Sequence, residues 1–93
     1  MTIRHGLEMT ISRDEFLRLL PGAVGAFAAD GDVLQGTHAG HRWAIRLTPL
    51  APAFMGGVAV PRHRVDITLA GHSETEADAF MERFHRGFLR GGG

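Results

Sequence analysis

The chain has no cysteine, which excludes disulfides, thiolate catalysis and cysteine-ligated zinc or iron–sulfur centres together. It has no excess charge of either sign, since ten acidic side chains balance ten basic ones. A neutral chain sets up no long-range field to gather nucleic acid or an anionic membrane surface, so neither is expected as a partner. Long apolar runs are missing too. The longest, Leu50 to Val60, is interrupted by Pro52 and Gly56-Gly57 and falls well short of the roughly 20 residues a spanning helix needs. The opening Met1-Thr2-Ile3-Arg4-His5 lacks the basic-then-apolar pattern of a secretory signal, and with the lack of cysteine this points to the cytoplasm. There is no G-x-S-x-G, no phosphate-cradling glycine loop and no H-E-x-x-H, so no catalytic residue and no cofactor is expected. Lysine is absent as well: all ten basic residues are arginines, whose planar fork suits carboxylates and phosphates.

What is present describes one ordinary domain. A chain of 93 residues, 44% hydrophobic and 22% charged, builds a single core and buries roughly 60–65% of its unfolded surface. Two helix starts read S-x-x-E, at Ser12-Arg13-Asp14-Glu15 and Ser73-Glu74-Thr75-Glu76. In that pattern serine and glutamate satisfy each other's free amides. The first helix carries Phe16, Leu17, Leu19 and Leu20 up to Pro21-Gly22, which weakens or ends it, with Ile11 as a staple against Phe16. The second runs from about Glu74 to Arg90, with Ala77, Phe80, Met81, Phe84 and Phe88 at helical spacing. Its acidic first turn and basic last turns complement the helix dipole.

Elsewhere the apolar period is two, the mark of strands buried on one side. Leu7, Met9 and Ile11 give a first strand, Val33 to Thr37 a second, Trp43, Ile45 and Leu47 a third, and Val65, Ile67 and Leu69 a fourth. The order β-α-β-β-β-α predicts an α+β two-layer sandwich: a mainly antiparallel four-stranded sheet with both helices on one face, in a single domain 1–93 ending in a flexible glycine tail, 91–93.

The other sheet face would then carry Arg42, Arg46, Arg62, Arg64, Asp66 and Thr68. Such a face serves as a site for an anion or acidic partner, as a homodimer contact, or as a solvated surface whose acids neutralise the arginines. The Pro49–Pro61 segment is too apolar for a solvated loop and too rich in proline and glycine for a central strand. Its Phe54 and Met55 either fold back onto the core or dock into a partner. His38-x-x-His41 sits in a predicted turn beside Asp30 and Asp32 with spacing that permits metal binding, although ordinary turn histidines fit as well. His85 is expected at the core boundary.

Two resemblances are testable from the residues. The terminal Gly91-Gly92-Gly93 is similar to the tails of ubiquitin-like and sulfur-carrier proteins, but those place strands after the main helix, whereas this chain ends on its helix. The α-β-β-β-α order resembles the double-stranded-RNA-binding domain. That family presents lysines at the start of its last helix, where this chain has Glu74, Glu76 and Asp78, so RNA binding in that mode is excluded. The reading that remains is a small non-catalytic accessory or interaction domain, binding a protein partner or itself through Pro49–Pro61 and the arginine face. The alternative is a small protein binding a metal through His38 and His41 or an anion through the arginines.

Overall fold

A computed structural model describes residues 1–92, with side chains described through Phe88; Gly93, the end of the expected tail, lies outside the described residues. The elements run β1 (Thr2–Met9), α1 (Arg13–Val24), β2 (Ala28–Asp30), β3 (Val33–His38), β4 (His41–Met55), β5 (Val58–Ala70) and α2 (Glu74–Gly92). All strand pairs are antiparallel, in the order β1-β5-β4-β3-β2. The expected α+β class holds, but the order is β-α-β-β-β-β-α, with five strands in place of the expected four. The added strand, β2, is three residues whose side chains are all exposed, so it carries no buried alternation that could betray it. β1 begins at Thr2, well before Leu7. Its inward phase includes Ile3 and His5, and a histidine at an inward position with glycine beside it hides the period.

Both helices cover one face. Phe16 and Leu20 of α1 and Phe80, Phe84 and Phe88 of α2 join Leu34, Trp43, Ile45, Leu47, Val65, Ile67 and Leu69 in one buried cluster. Close approach is built in at two glycines: a Cβ on Gly36 would lie 2.6 Å from the Trp43 indole, and one on Gly87 would lie 2.4 Å from Cβ of Ala23. The indole therefore lies flat over β3, and the two helices touch along their backbones. His85 is exposed on α2, with its ring edge-on to the buried Phe84 at 5.7 Å, at the rim of this core.

The two S-x-x-E starts behave differently. At α2 the box is complete: the Ser73 amide donates to Glu76 Oε1 at 2.8 Å and the Glu76 amide to Ser73 Oγ at 3.1 Å. At α1 only the serine half forms, Glu15 amide to Ser12 Oγ at 3.1 Å, because the Glu15 carboxylate is taken by Arg18 one turn on. Pro21 does not end α1. It falls in the last turn, and the Gly25 amide closes the helix on the Pro21 carbonyl at 2.9 Å.

The Pro49–Pro61 segment is strand almost throughout. β4 and β5 continue past the sheet as a hairpin that turns at Gly56-Gly57, both at positive φ (58° and 84°), the requirement of a tight primed turn. A register irregularity between Leu50 and Ala53 accommodates Pro52. β1 pairing stops at Met9–His63 and β3 pairing at Val33–Arg46, so the hairpin beyond them is a two-stranded arm. It gives the molecule its 44 × 25 × 20 Å extents.

Candidate functional site

The arm decides between the two expectations for Pro49–Pro61: it projects and does not fold back. Phe54, Met55 and Val58 at its tip are 72%, 63% and 65% exposed. Met55 and Val58 are cross-strand partners, as are Phe54 and Ala59, so both faces of the ribbon end in apolar side chains. Pro49 and Pro52 on β4 and Pro61 on β5 remove backbone donors along the arm, which blunts strand addition there and leaves side-chain docking as what the tip can do.

The arginine face divides. Arg64 lies 3.1 Å from Asp66, with its guanidinium over Gly6, and Arg62 pairs with Glu8 and reaches the Ala51 carbonyl at 3.3 Å. These two are neutralised within the chain. Arg42 and Arg46 form no salt bridge among the described residues, and neither does Arg4, which joins this face because β1 begins at Thr2 and not at Leu7. The cross-strand neighbour of Arg46 is Asp66, so guanidinium groups do not stack across the sheet in pairs. Arg4, Arg46, Asp66, Thr68, Ala44 and Val33 line an open concavity of about 410 Å³.

His38 and His41 flank the turn Ala39-Gly40 as cross-strand partners. Asp30 and Asp32, expected beside them, are at the opposite end of β3, where Asp32 faces Arg13 at 3.8 Å. The neighbour that does arrive is His72, in the link before α2. Its ring stacks parallel to His38 at 5.5 Å and tilts towards His41 at 5.4 Å, with Phe80 edge-on to both His38 and His72. His72 is 1% exposed with neither ring nitrogen hydrogen-bonded among the described residues, and His38 Nδ1 and Trp43 Nε1 are buried in the same condition. Glu76 Oε1 lies 3.8 Å from His41 Nε2. His63 is elsewhere, its Nδ1 donating to the Ile11 carbonyl at 2.8 Å. No group of three or more histidine or carboxylate side chains among the described residues is placed to hold a metal ion.

Burial pushes the His38 pKa below its ordinary value. Positive charge on His72 and Arg83 adds to that, and Glu76 opposes it. Glu76 is itself lowered, first by the Ser73 amide, with His41 and His72 contributing. Both depressed groups bind protons more readily in the unfolded chain, so the stability they contribute is present at high pH and lost on acidification. The melting temperature is expected to fall as pH drops below the ordinary histidine pKa of about 6.5 and again below the carboxylate range. In His38→Phe the first decline should flatten while the second persists; an unchanged first decline would remove His38 as its source.

Among the described residues, no helix is long and apolar enough to cross a membrane. Comparison with protein-family models, curated proteins and solved structures finds no match for this chain.

Proposed function

We propose that the chain is a small non-catalytic interaction domain that seats its β4–β5 arm in an apolar groove of a protein partner, whose bordering carboxylates meet the arginine-bearing sheet face. The carrying observation is the exposure of Phe54, Met55 and Val58 together on one ribbon tip. Each large apolar side chain removed from water contributes about 1.5–3 kcal/mol, and a hydrogen-bonded hairpin loses little freedom on docking. The chemistry of the groove's border follows from charge: Arg42 and Arg46 lie on the face that continues into the arm and lack carboxylates of their own among the described residues. Arginine forks take carboxylates in paired hydrogen bonds. A chain without cysteine suits a reducing compartment, and we place the domain in the cytoplasm.

The test is co-purification from the native host followed by binding measurements with the purified partner. Replacing Phe54, Met55 and Val58 together with serine should weaken that complex by about 100-fold or more, the scale of interface anchors. The Arg42→Glu/Arg46→Glu variant should weaken it further as salt is lowered, by repelling the partner's carboxylates. A partner that binds both variants as tightly as the parent, or a chain that recovers no stoichiometric partner, would sink the reading.

A further inference from the structure

β1 is an edge strand of unusual openness. The sheet's other edge, β2, is three residues long, and the arm carries prolines, but β1 presents eight residues with neither proline nor bulge. Edges of that kind pair with other strands unless something prevents it.

The hydrogen-bonding phase of β1 follows from its inner ladder. The Gly71 amide donates to the Met1 carbonyl at 2.9 Å, extending the β1–β5 pairing by one position. In an antiparallel ladder, residues that bond the neighbouring strand alternate with residues that face away. Ile3, His5, Leu7 and Met9 therefore bond β5, whereas Thr2, Arg4, Gly6 and Glu8 turn their amides and carbonyls to the outside of the sheet.

We infer that this outward edge is an interface for a second copy of the chain, with two β1 strands paired antiparallel about a two-fold axis at Gly6, joining the two sheets into one. In that register Arg4 faces Glu8 of the other copy, Glu8 faces Arg4, and Gly6 faces Gly6. All three are outward-bonding pairs, each able to exchange two backbone hydrogen bonds. The side chains of Arg4 and Glu8 share the open face of the sheet, so opposite charges stand directly across from each other twice. Other registers are worse. An axis at Arg4 or at Glu8 sets like charges against each other, and an axis at His5 or Leu7 sets Arg4 or Glu8 against Gly6, which leaves them without an opposite charge across the pair.

The side chains are free to make these pairs. Arg4 has no carboxylate partner among the described residues. Glu8 gives Oε1 to Arg62 and is 53% exposed, which leaves Oε2 for a second guanidinium. On the helix side, Ile3 would face Met9 of the second copy and His5 would face Leu7. Ile3, Leu7 and Met9 are only partly buried against the core. Beside Ile3 and His5 a groove of about 330 Å³ runs between β1 and the start of α2, walled by Met1, Ala77 and Asp78, and Met1 is 79% exposed. That groove receives Met9 of the second copy, once on each side of the axis.

Sedimentation equilibrium and light scattering over a micromolar-to-millimolar range test the proposal. The expected result is reversible growth from the 10.1 kDa monomer to twice that mass. Arg4→Glu and Glu8→Arg should each weaken dimerisation by roughly tenfold or more, by placing like charges opposite each other in both pairs. The double exchange Arg4→Glu/Glu8→Arg should restore it. Arg4→Glu breaks no ion pair of the described fold, and far-UV circular dichroism checks that each variant is folded. The Phe54, Met55 and Val58 serine variant should dimerise like the parent, which separates this interface from the arm. Amides of Arg4, Gly6 and Glu8 should gain exchange protection with concentration, while those of Ile3, His5 and Leu7 stay protected throughout. A chain that is monomeric across the whole range overturns the inference. So does a dimer indifferent to the single charge changes, or a double exchange no tighter than the singles.

Discussion

Phe16→Ala should cost about 3–5 kcal/mol of folding stability, the range for removing a fully buried phenylalanine. Phe16 is 0% exposed, stacks on Phe88 with ring centroids 4.7 Å apart and tilts against Phe84 at 6.3 Å. It is the side chain by which α1 grips α2. The backbones of the two helices are already in contact at Gly87 and Ala23, so they cannot move closer to fill the space left behind. A domain of this size has about 5–15 kcal/mol in total, so the variant should be partly unfolded at moderate temperature. Urea denaturation followed by circular dichroism measures the loss, with Leu19→Ala, at a half-buried position on the same helix, expected to cost clearly less. A loss below about 1 kcal/mol for Phe16→Ala would mean that this aromatic contact does not hold the helices together.

His72→Phe should raise stability by about 1–2 kcal/mol, opposite in sign to most core substitutions. Both ring nitrogens of His72 are buried without a hydrogen-bond partner among the described residues, and a buried polar atom in that condition costs its full desolvation. Phenylalanine keeps a flat ring to stack on His38 and meet the edge of Phe80, and it gives up only the unsatisfied nitrogens. The same denaturation experiment reads the gain. A loss of comparable size would show that these nitrogens are bonded in solution, and would return the cluster of His38, His41 and His72 to consideration as a ligand site.

Legibility in the sequence followed the strength of the local pattern. The stripe Ala77, Phe80, Met81, Phe84 and Phe88 and the Ser73/Glu76 box gave α2 nearly in full, and every stripe residue is buried. The alternation around Trp43 to Leu47 and Val65 to Leu69 likewise marked the inner strands and their core face. Edge elements were less readable. β2 has no buried phase, and the first half of β1 places His5 and Gly6 where a clean alternation would need apolar and polar residues. At the arginine face, composition located Arg42, Arg46, Arg62 and Arg64. Arg64 and Asp66 are two positions apart on one strand, but the tertiary fold alone brings Glu8 to Arg62, leaves Arg42 and Arg46 without a carboxylate among the described residues, and adds Arg4. His72 enters the histidine cluster through the tertiary fold: it is 31 positions beyond His41 in the chain, and the approach of the link before α2 to the start of β4 sets its place.

By itself the sequence determined the class of this protein, α+β with two amphipathic helices over one side of an antiparallel sheet, because periodicity and capping act within a few residues. Whether Pro49–Pro61 projects or folds back, which arginines lack a carboxylate, and which edge of β1 stands open were decided only in three dimensions. Those properties depend on strand register and on which neighbour is absent, and neither is carried by any short stretch of chain.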